Sequence, residues 1–115
     1  MKIIADGDTL PAEADCGLVQ YPVRSLGVVA RADTVRQRFK VVNKDSVIWH
    51  IQELVPSCHC TVASVSETAV HPGEDVDITV TYLPDSVGTT FLRYVDVFYK
   101  EKTNPERLVL YGFIK

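Results

Sequence analysis

The chain has 115 residues, 46% of them hydrophobic, and carries a formal net charge of -3. That length suits one domain with one core and is short for two. So small a charge, with lysine and arginine scattered along the chain, excludes a broad field that would gather nucleic acid or an anionic membrane, and no apolar run approaches the roughly 20 residues that span a bilayer.

In chain order, the opening MKIIADGDTL holds too short an apolar segment for a secretory signal. Cys16-Gly17 invites a lipid-anchor reading, but the acidic stretch before it, with Glu13 and Asp15, argues against one. Residues 1–22 are expected to be a loosely ordered N-terminal segment, and a first strand lies somewhere in Leu18 to Val29, interrupted by Pro22. Val35, Gln37, Phe39 and Val41 alternate with Arg36, Arg38, Lys40 and Val42, which predicts a half-buried strand ending at an Asn43-Lys44-Asp45-Ser46 turn. The three basic residues are read as a solvated sheet face. Val47 to Val55 places Val47, Trp49, Ile51 and Val55 on one face, and Pro56 stops the strand.

Thr61 to Val65 is a further short strand. His71-Pro72-Gly73-Glu74 then supplies a fixed φ followed by a residue tolerant of positive φ, as a tight reversal requires. Val76, Ile78, Val80 and Tyr82 alternate with Asp77, Thr79 and Thr81 in the clearest strand of the chain. A loop from Pro84 to Gly88, a long β-branched and aromatic strand from Thr89 to Tyr99, a Thr103-Asn104-Pro105 turn and a last strand from Arg107 to Ile114 complete the pass.

No stretch sustains helical periodicity, and about seven strands at this spacing predict an all-β, immunoglobulin-like antiparallel β-sandwich. Its core should include Phe39, Trp49, Ile51, Val80 and Val97. Trp49 resembles the core tryptophan of antibody domains, but the preceding strand has no cysteine for the disulfide such a tryptophan covers, so an antibody-type domain is disfavoured.

The order Leu26-Gly27, Phe39 with Asn43, a hydrophobic strand, Ser57-Cys58-His59-Cys60-Thr61, Pro72-Gly73-Glu74, the alternating strand to Tyr82 with Pro84, and Gly88 resembles a bacterial family known as domain of unknown function 1573. The family pattern has glycine where this chain has His59. The resemblance covers the chain from Leu26 onward and implies a sandwich like that of major-sperm-protein domains. It also implies export to the periplasm or cell envelope. It brings no reaction, substrate or site.

The Cys58-His59-Cys60 segment is the one local feature that could carry chemistry. On a regular strand the two cysteines face the same way with Cα atoms about 6.6 Å apart, so a bridge between them needs a bend, which His59 would resist if positive φ were required. Alternatively they are buried small hydrophobes, or two thiolates of a metal site completed from Cys16, His50 and His71. A CxC pair is much less specific than paired CxxC knuckles, and His59 on a strand points away from both sulfurs. Cys-His catalysis fails on the same geometry, and no helix follows Cys60 to activate a redox thiol. Asp75, Asp77 and Asp85 could hint at calcium, but aspartate belongs at turns in any case.

With no serine elbow, phosphate loop or zinc helix, the reading is a non-catalytic interaction or structural module of the bacterial envelope, with no cofactor. The alternative is a metal-binding or thiol-redox protein using Cys58 and Cys60, with Cys16 and His71 as further candidates. The expected partner is a protein, docked on a sandwich face or on an edge strand near the N-terminal segment or the last strand, Arg107 to Ile114.

Overall fold

The computed structural model describes residues 18–84 and 87–115, so Cys16, the first seventeen residues and Asp85 lie outside the described part. The described residues form eight strands: β1 (Val23–Val29), β2 (Val35–Val42), β3 (Trp49–Pro56), β4 (Thr61–Val65), β5 (Ala69–Val70), β6 (Asp75–Tyr82), β7 (Thr89–Tyr99) and β8 (Glu106–Ile114). They make a five-stranded sheet in the order β1-β8-β7-β3-β5 and a three-stranded sheet in the order β2-β6-β4. The architecture is the expected all-β, immunoglobulin-like sandwich, with the two-residue β5 as an addition too short to leave a sequence pattern.

The core lies between the sheets because each inner face presents its alternate apolar residues there. Phe39, Val41, Ile78, Val80 and Tyr82 come from the smaller sheet and Ile51, Val95, Val97, Tyr99, Leu108 and Leu110 from the larger. The Tyr82 and Phe91 rings meet across the layers at 5.0 Å, and the Arg24 guanidinium from β1 lies 4.2 Å from the centre of the Phe39 ring on β2. On β2, Arg36, Arg38 and Lys40 are all exposed, as a wet sheet face requires.

The expected core set holds for Phe39, Ile51, Val80 and Val97, but Trp49 is only half buried. It stands edge-on to Tyr99 at the end of the core and its indole N–H donates to Asp45 Oδ2 at 2.9 Å. The predicted apolar face of β3 also breaks. Its register against β7 shifts between Ile51 and Glu53, and that bulge turns Leu54 toward the core and leaves Val55 exposed; Val47, before the strand, is exposed as well. An inserted residue reverses the side-chain alternation beyond it, which a strict period of two cannot anticipate.

The N-terminal stretch changes sheets. Val19 bridges Val41, with Gln20 N–H donating to the Lys40 carbonyl, so this piece runs along the free edge of β2. Tyr21, at φ 48°, and Pro22 then kink the chain, and β1 pairs with β8 in the other sheet. That pairing is parallel, so the larger sheet is mixed rather than wholly antiparallel. It also places β8 inside the sheet, hydrogen-bonded to β1 on one side and β7 on the other. The last strand is therefore not an edge, contrary to the expectation for Arg107 to Ile114; its right to an edge is taken by β1, whose chain returns to it from the far sheet.

β1 carries its own register shift between Ser25 and Val28, around Gly27 at φ +67°. Glycine adopts that left-handed conformation without a Cβ clash, which accounts for the Leu26-Gly27 pair in the sequence. The bulge brings the Gly27 carbonyl oxygen over Gly112 of β8, where an added Cβ would sit 2.6 Å from that oxygen and 2.9 Å from Phe91 Cε2. Gly112→Ala must push β1 or the Phe91 ring aside, and we expect a loss of about 1–3 kcal/mol in chemical denaturation. A variant as stable as the parent would show that the β1 edge yields freely.

Glu106, at the start of β8, braces the sheet change. Its carboxylate accepts the backbone N–H groups of Leu18 at 3.2 Å and Val19 at 3.0 Å, and the Tyr99 hydroxyl at 3.1 Å. Burial, then the Glu106 charge and this hydrogen bond, hold the Tyr99 phenol well above its ordinary value of 10.0. Above about pH 10 the unfolded chain releases that proton while the native protein keeps it, so the stabilisation is intact below pH 10 and falls as pH rises. Tyr99→Phe should lose roughly 1 kcal/mol at neutral pH and show a shallower decline than the parent above pH 10, measured by urea midpoints across the alkaline range. Parallel declines would mean the phenol titrates alike in both states.

Candidate functional site

The Cys-His-Cys segment forms the turn that carries the chain from β3 in one sheet to β4 in the other. Pro56 ends the β3 ladder, and Ser57 is clamped to β7 from both sides: its N–H donates to the Tyr94 carbonyl at 2.8 Å and its Oγ accepts the Tyr94 N–H at 3.0 Å. The turn closes with Thr61 N–H on the Cys58 carbonyl at 3.2 Å, while the Cys60 carbonyl accepts Leu83 N–H at 3.0 Å.

Cys58 and Cys60 are joined in a disulfide with Cα atoms 5.3 Å apart. The bend brings them inside the spacing of an extended strand. Tyr21 is the one non-glycine residue at positive φ among the described residues, so the bend is made without the left-handed conformation that His59 would resist. Both sulfurs are half buried, Cys60 packs against the core and the His59 side chain is exposed. Cys60 N–H donates to Cys58 Sγ at 3.3 Å, and the Thr61 hydroxyl oxygen lies 3.6 Å from Cys58 Sγ and 3.9 Å from Cys60 Sγ. Thr61 itself is buried, which holds its hydroxyl on the sulfurs and away from bulk water.

The other sequence candidates are not brought to this turn. β5 pairs with the first residues of β3, Val70 facing Trp49, so His71 lies at the opposite end of that strand from Cys58. There it sits in the Pro72-Gly73 reversal, which closes with Glu74 N–H on the His71 carbonyl, and its Nδ1 lies 3.1 Å from Glu74 Oε1. Gly73 takes the φ of +82° that this turn demands at its third position. The His50 ring and backbone N–H both engage the Glu101 carboxylate. Asp75 pairs with Lys40 at 3.6 Å, Asp77 N–H donates to Ser66 Oγ, and Asp85 and Cys16 lie outside the described residues. Among the described residues no three His, Cys, Asp or Glu side chains are grouped as a metal site would need.

A second feature escaped the sequence reading. On β7 and β8 part of the outward face is apolar as well, with Leu92 and Tyr94 on β7 and Val109, Tyr111 and Phe113 on β8, bounded by the Arg107–Asp96 ion pair, whose guanidinium lies 3.7 Å from the centre of the Tyr94 ring. Val28, Phe113 and Thr90 align across β1, β8 and β7, followed by Ser25, Tyr111 and Leu92, then by Val23, Val109 and Tyr94. Val28, Leu92 and Phe113 are 64%, 56% and 39% exposed, so an open apolar patch lies on the outer face where β1, β8 and β7 meet. The signal was the unbroken run Leu108-Val109-Leu110-Tyr111, which alternates in position but not in polarity, as strands covered on both faces do.

Comparison with known proteins places the chain in a family: residues 13–114 match the protein of unknown function DUF1573, and the chain belongs to it. No curated protein matches the chain. Among solved structures, a protein of unknown function from Porphyromonas gingivalis W83 is similar with a TM-score of 0.72 at 10% identity, over 84% of this chain and 46% of that one. The secreted serine protease VesC from Vibrio cholerae is similar with a TM-score of 0.67 at 14% identity, over 96% of this chain and 26% of that one. A PapD-like domain of human CEP192 has a TM-score of 0.60 at 12% identity, over 84% of this chain and 83% of that one. The chain thus spans about half or less of the first two. At these identities the likeness is one of fold.

Proposed function

We propose that this DUF1573 chain is a non-catalytic protein-interaction module of the bacterial envelope, which docks another protein domain on the outer face of its five-stranded sheet. The patch made by Val28, Phe113 and Leu92 around Tyr111 carries the proposal, because a contiguous exposed apolar patch is what a protein interface needs and what a free surface avoids. The occupant is a folded apolar surface rather than an added strand: β1 is bulged at Gly27 and β5 has two residues, so both edges of that sheet are poor templates. Two observations support an envelope location. The Cys58–Cys60 disulfide suits an oxidising compartment, and the similar VesC is a secreted protein.

Site-specific photo-crosslinking in living cells tests this. A photoreactive residue at Leu92 or Phe113 should give a discrete protein adduct, and one at Val62, exposed on the smaller sheet, should not. Adducts from the His59 or Glu74 loops with none from Leu92 and Phe113 would move the binding site to a loop end of the sandwich and overturn the reading.

A further inference from the structure

We propose that the Cys58–Cys60 disulfide is a reversible thiol–disulfide exchange site for a partner dithiol, with Cys58 as the sulfur that bonds to the partner. Its placement argues against a role as a staple. The stabilisation a disulfide gives grows with the loop it closes, and a bridge between residues two apart closes almost the smallest loop possible. It ties neither two strands nor two sheets, and the turn that holds it is already fastened at Ser57 to β7, at Cys60 to Leu83 and internally between Thr61 and Cys58. None of those hydrogen bonds is made by a sulfur.

The two sulfurs are not equivalent. Cys60 packs against the core, while Cys58 alone receives a backbone N–H, that of Cys60 at 3.3 Å, and lies nearer the buried Thr61 hydroxyl, at 3.6 Å against 3.9 Å for Cys60 Sγ. Hydrogen-bond donors at a sulfur favour its thiolate, so the reduced turn keeps Cys58 as the more acidic thiol. In the exchange, a partner thiolate attacks Cys58 Sγ. The new intermolecular S–S bond forms as the Cys58–Cys60 bond breaks, and the electron pair leaves on Cys60 Sγ, which takes up a proton from solvent. The partner's second thiolate then attacks its own first sulfur, closing the partner's disulfide and releasing Cys58 as a thiolate held by the Cys60 N–H and Thr61 hydroxyl. Two electrons pass from the partner dithiol to the pair; of the two protons the partner releases, one is balanced by the proton that Cys60 takes up and the other stays in solvent, because Cys58 is left as a thiolate.

The test uses the intact protein in glutathione redox buffers, with acid quench, alkylation and peptide mapping of the Cys58 to Cys60 segment, while near-ultraviolet circular dichroism follows the fold. The pair should open under native conditions with the spectrum unchanged. In the reduced protein, alkylation of Cys58 should follow an inflection below the ordinary thiol value of about 8.5, and Thr61→Val should slow it several-fold at neutral pH. With oxidised glutathione, Cys60→Ser should trap a mixed disulfide at Cys58 about tenfold faster than Cys58→Ser traps one at Cys60. A bond that stays closed until the protein unfolds would overturn the proposal, as would an inflection at or above the ordinary value or equal trapping rates in the two variants. The pH profile needs no variant, so a folding failure of either serine replacement does not remove the test. The apolar sheet face and this turn are separate sites, and either proposal can fail alone.

Discussion

Replacing Phe39 with alanine is expected to lower the unfolding free energy by about 3–5 kcal/mol, the range for removing a large aromatic side chain from a closed core. Phe39 is fully buried at the middle of β2, where it pairs with Ile78 of β6. Three contributions are lost together: the transfer of its apolar surface out of water, the close packing that the cavity forfeits, and the cation–π contact with Arg24. The Arg24 contribution has a particular consequence. Its guanidinium also donates to the Gln37 side chain at 3.1 Å and to the Arg38 carbonyl at 3.0 Å, so it joins β1 of one sheet to β2 of the other, and Phe39 is the platform under that link. Burial lowers the Arg24 pKa, so the charge gains from every partner it keeps. Phe39→Leu, which retains most of the volume but not the π face, should recover more than half of the loss. Denaturant unfolding of the three proteins measures both steps. A Phe39→Ala loss below about 1 kcal/mol would place this residue outside the core and disprove the register of β2.

The parts of this fold that were readable in the sequence are those where one face of a strand is wet. β2 and β4 begin and end where alternation and turn residues put them, and β6 differs from its predicted span by the added Asp75. There a side chain's polarity reports which layer it faces. The unreadable parts are those where this correspondence fails. Two bulges, at Ser25 to Val28 and at Ile51 to Glu53, insert residues that change the register without changing composition. β8 is apolar on both sides, so nothing in its own residues told an interior strand from an edge, and the decision came from β1, which arrives from the other sheet and pairs in parallel. The cysteine pair was legible as a place but not as a bond. Strand spacing puts the two Cα atoms near the limit for a bridge, and the turn between the sheets brings them to 5.3 Å.

By sequence Asn43 is an ordinary turn residue, but the structure makes it a buried junction, so Asn43→Ala is expected to cost about 3 kcal/mol, far beyond a surface turn substitution. The side chain is 1% exposed. Its Nδ2 donates to the Val47 and Val70 carbonyls, each at 2.8 Å, and its Oδ1 accepts the Asp45 N–H at 2.8 Å. Its backbone adds two further ties: Asn43 N–H to the Glu74 carbonyl and Gly73 N–H to the Asn43 carbonyl. One residue at the end of β2 therefore holds the approach to β3, the short β5 and the turn into β6. Alanine keeps the backbone ties and strips all three side-chain bonds, so the buried Val70 carbonyl loses the Asn43 amide as a donor in a place where water does not replace it. Asn43→Asp separates hydrogen bonding from size. It preserves shape and the acceptor for Asp45, but sets carboxylate oxygens against the Val47 and Val70 carbonyls, so it should be no more stable than Asn43→Ala at neutral pH and should improve as the carboxyl is protonated in acid. Hydrogen exchange adds a local readout: in Asn43→Ala the amides of Asp45, Gly73 and Glu74 should lose protection before those of Ile78 and Val80, because the junction fastens turns to a sheet that remains paired through β2 and β6. If Asn43→Asp matched the parent at neutral pH, two donated hydrogen bonds at this junction would be worth nothing, and the account of Asn43 as the tie between the sheets' turns would fall.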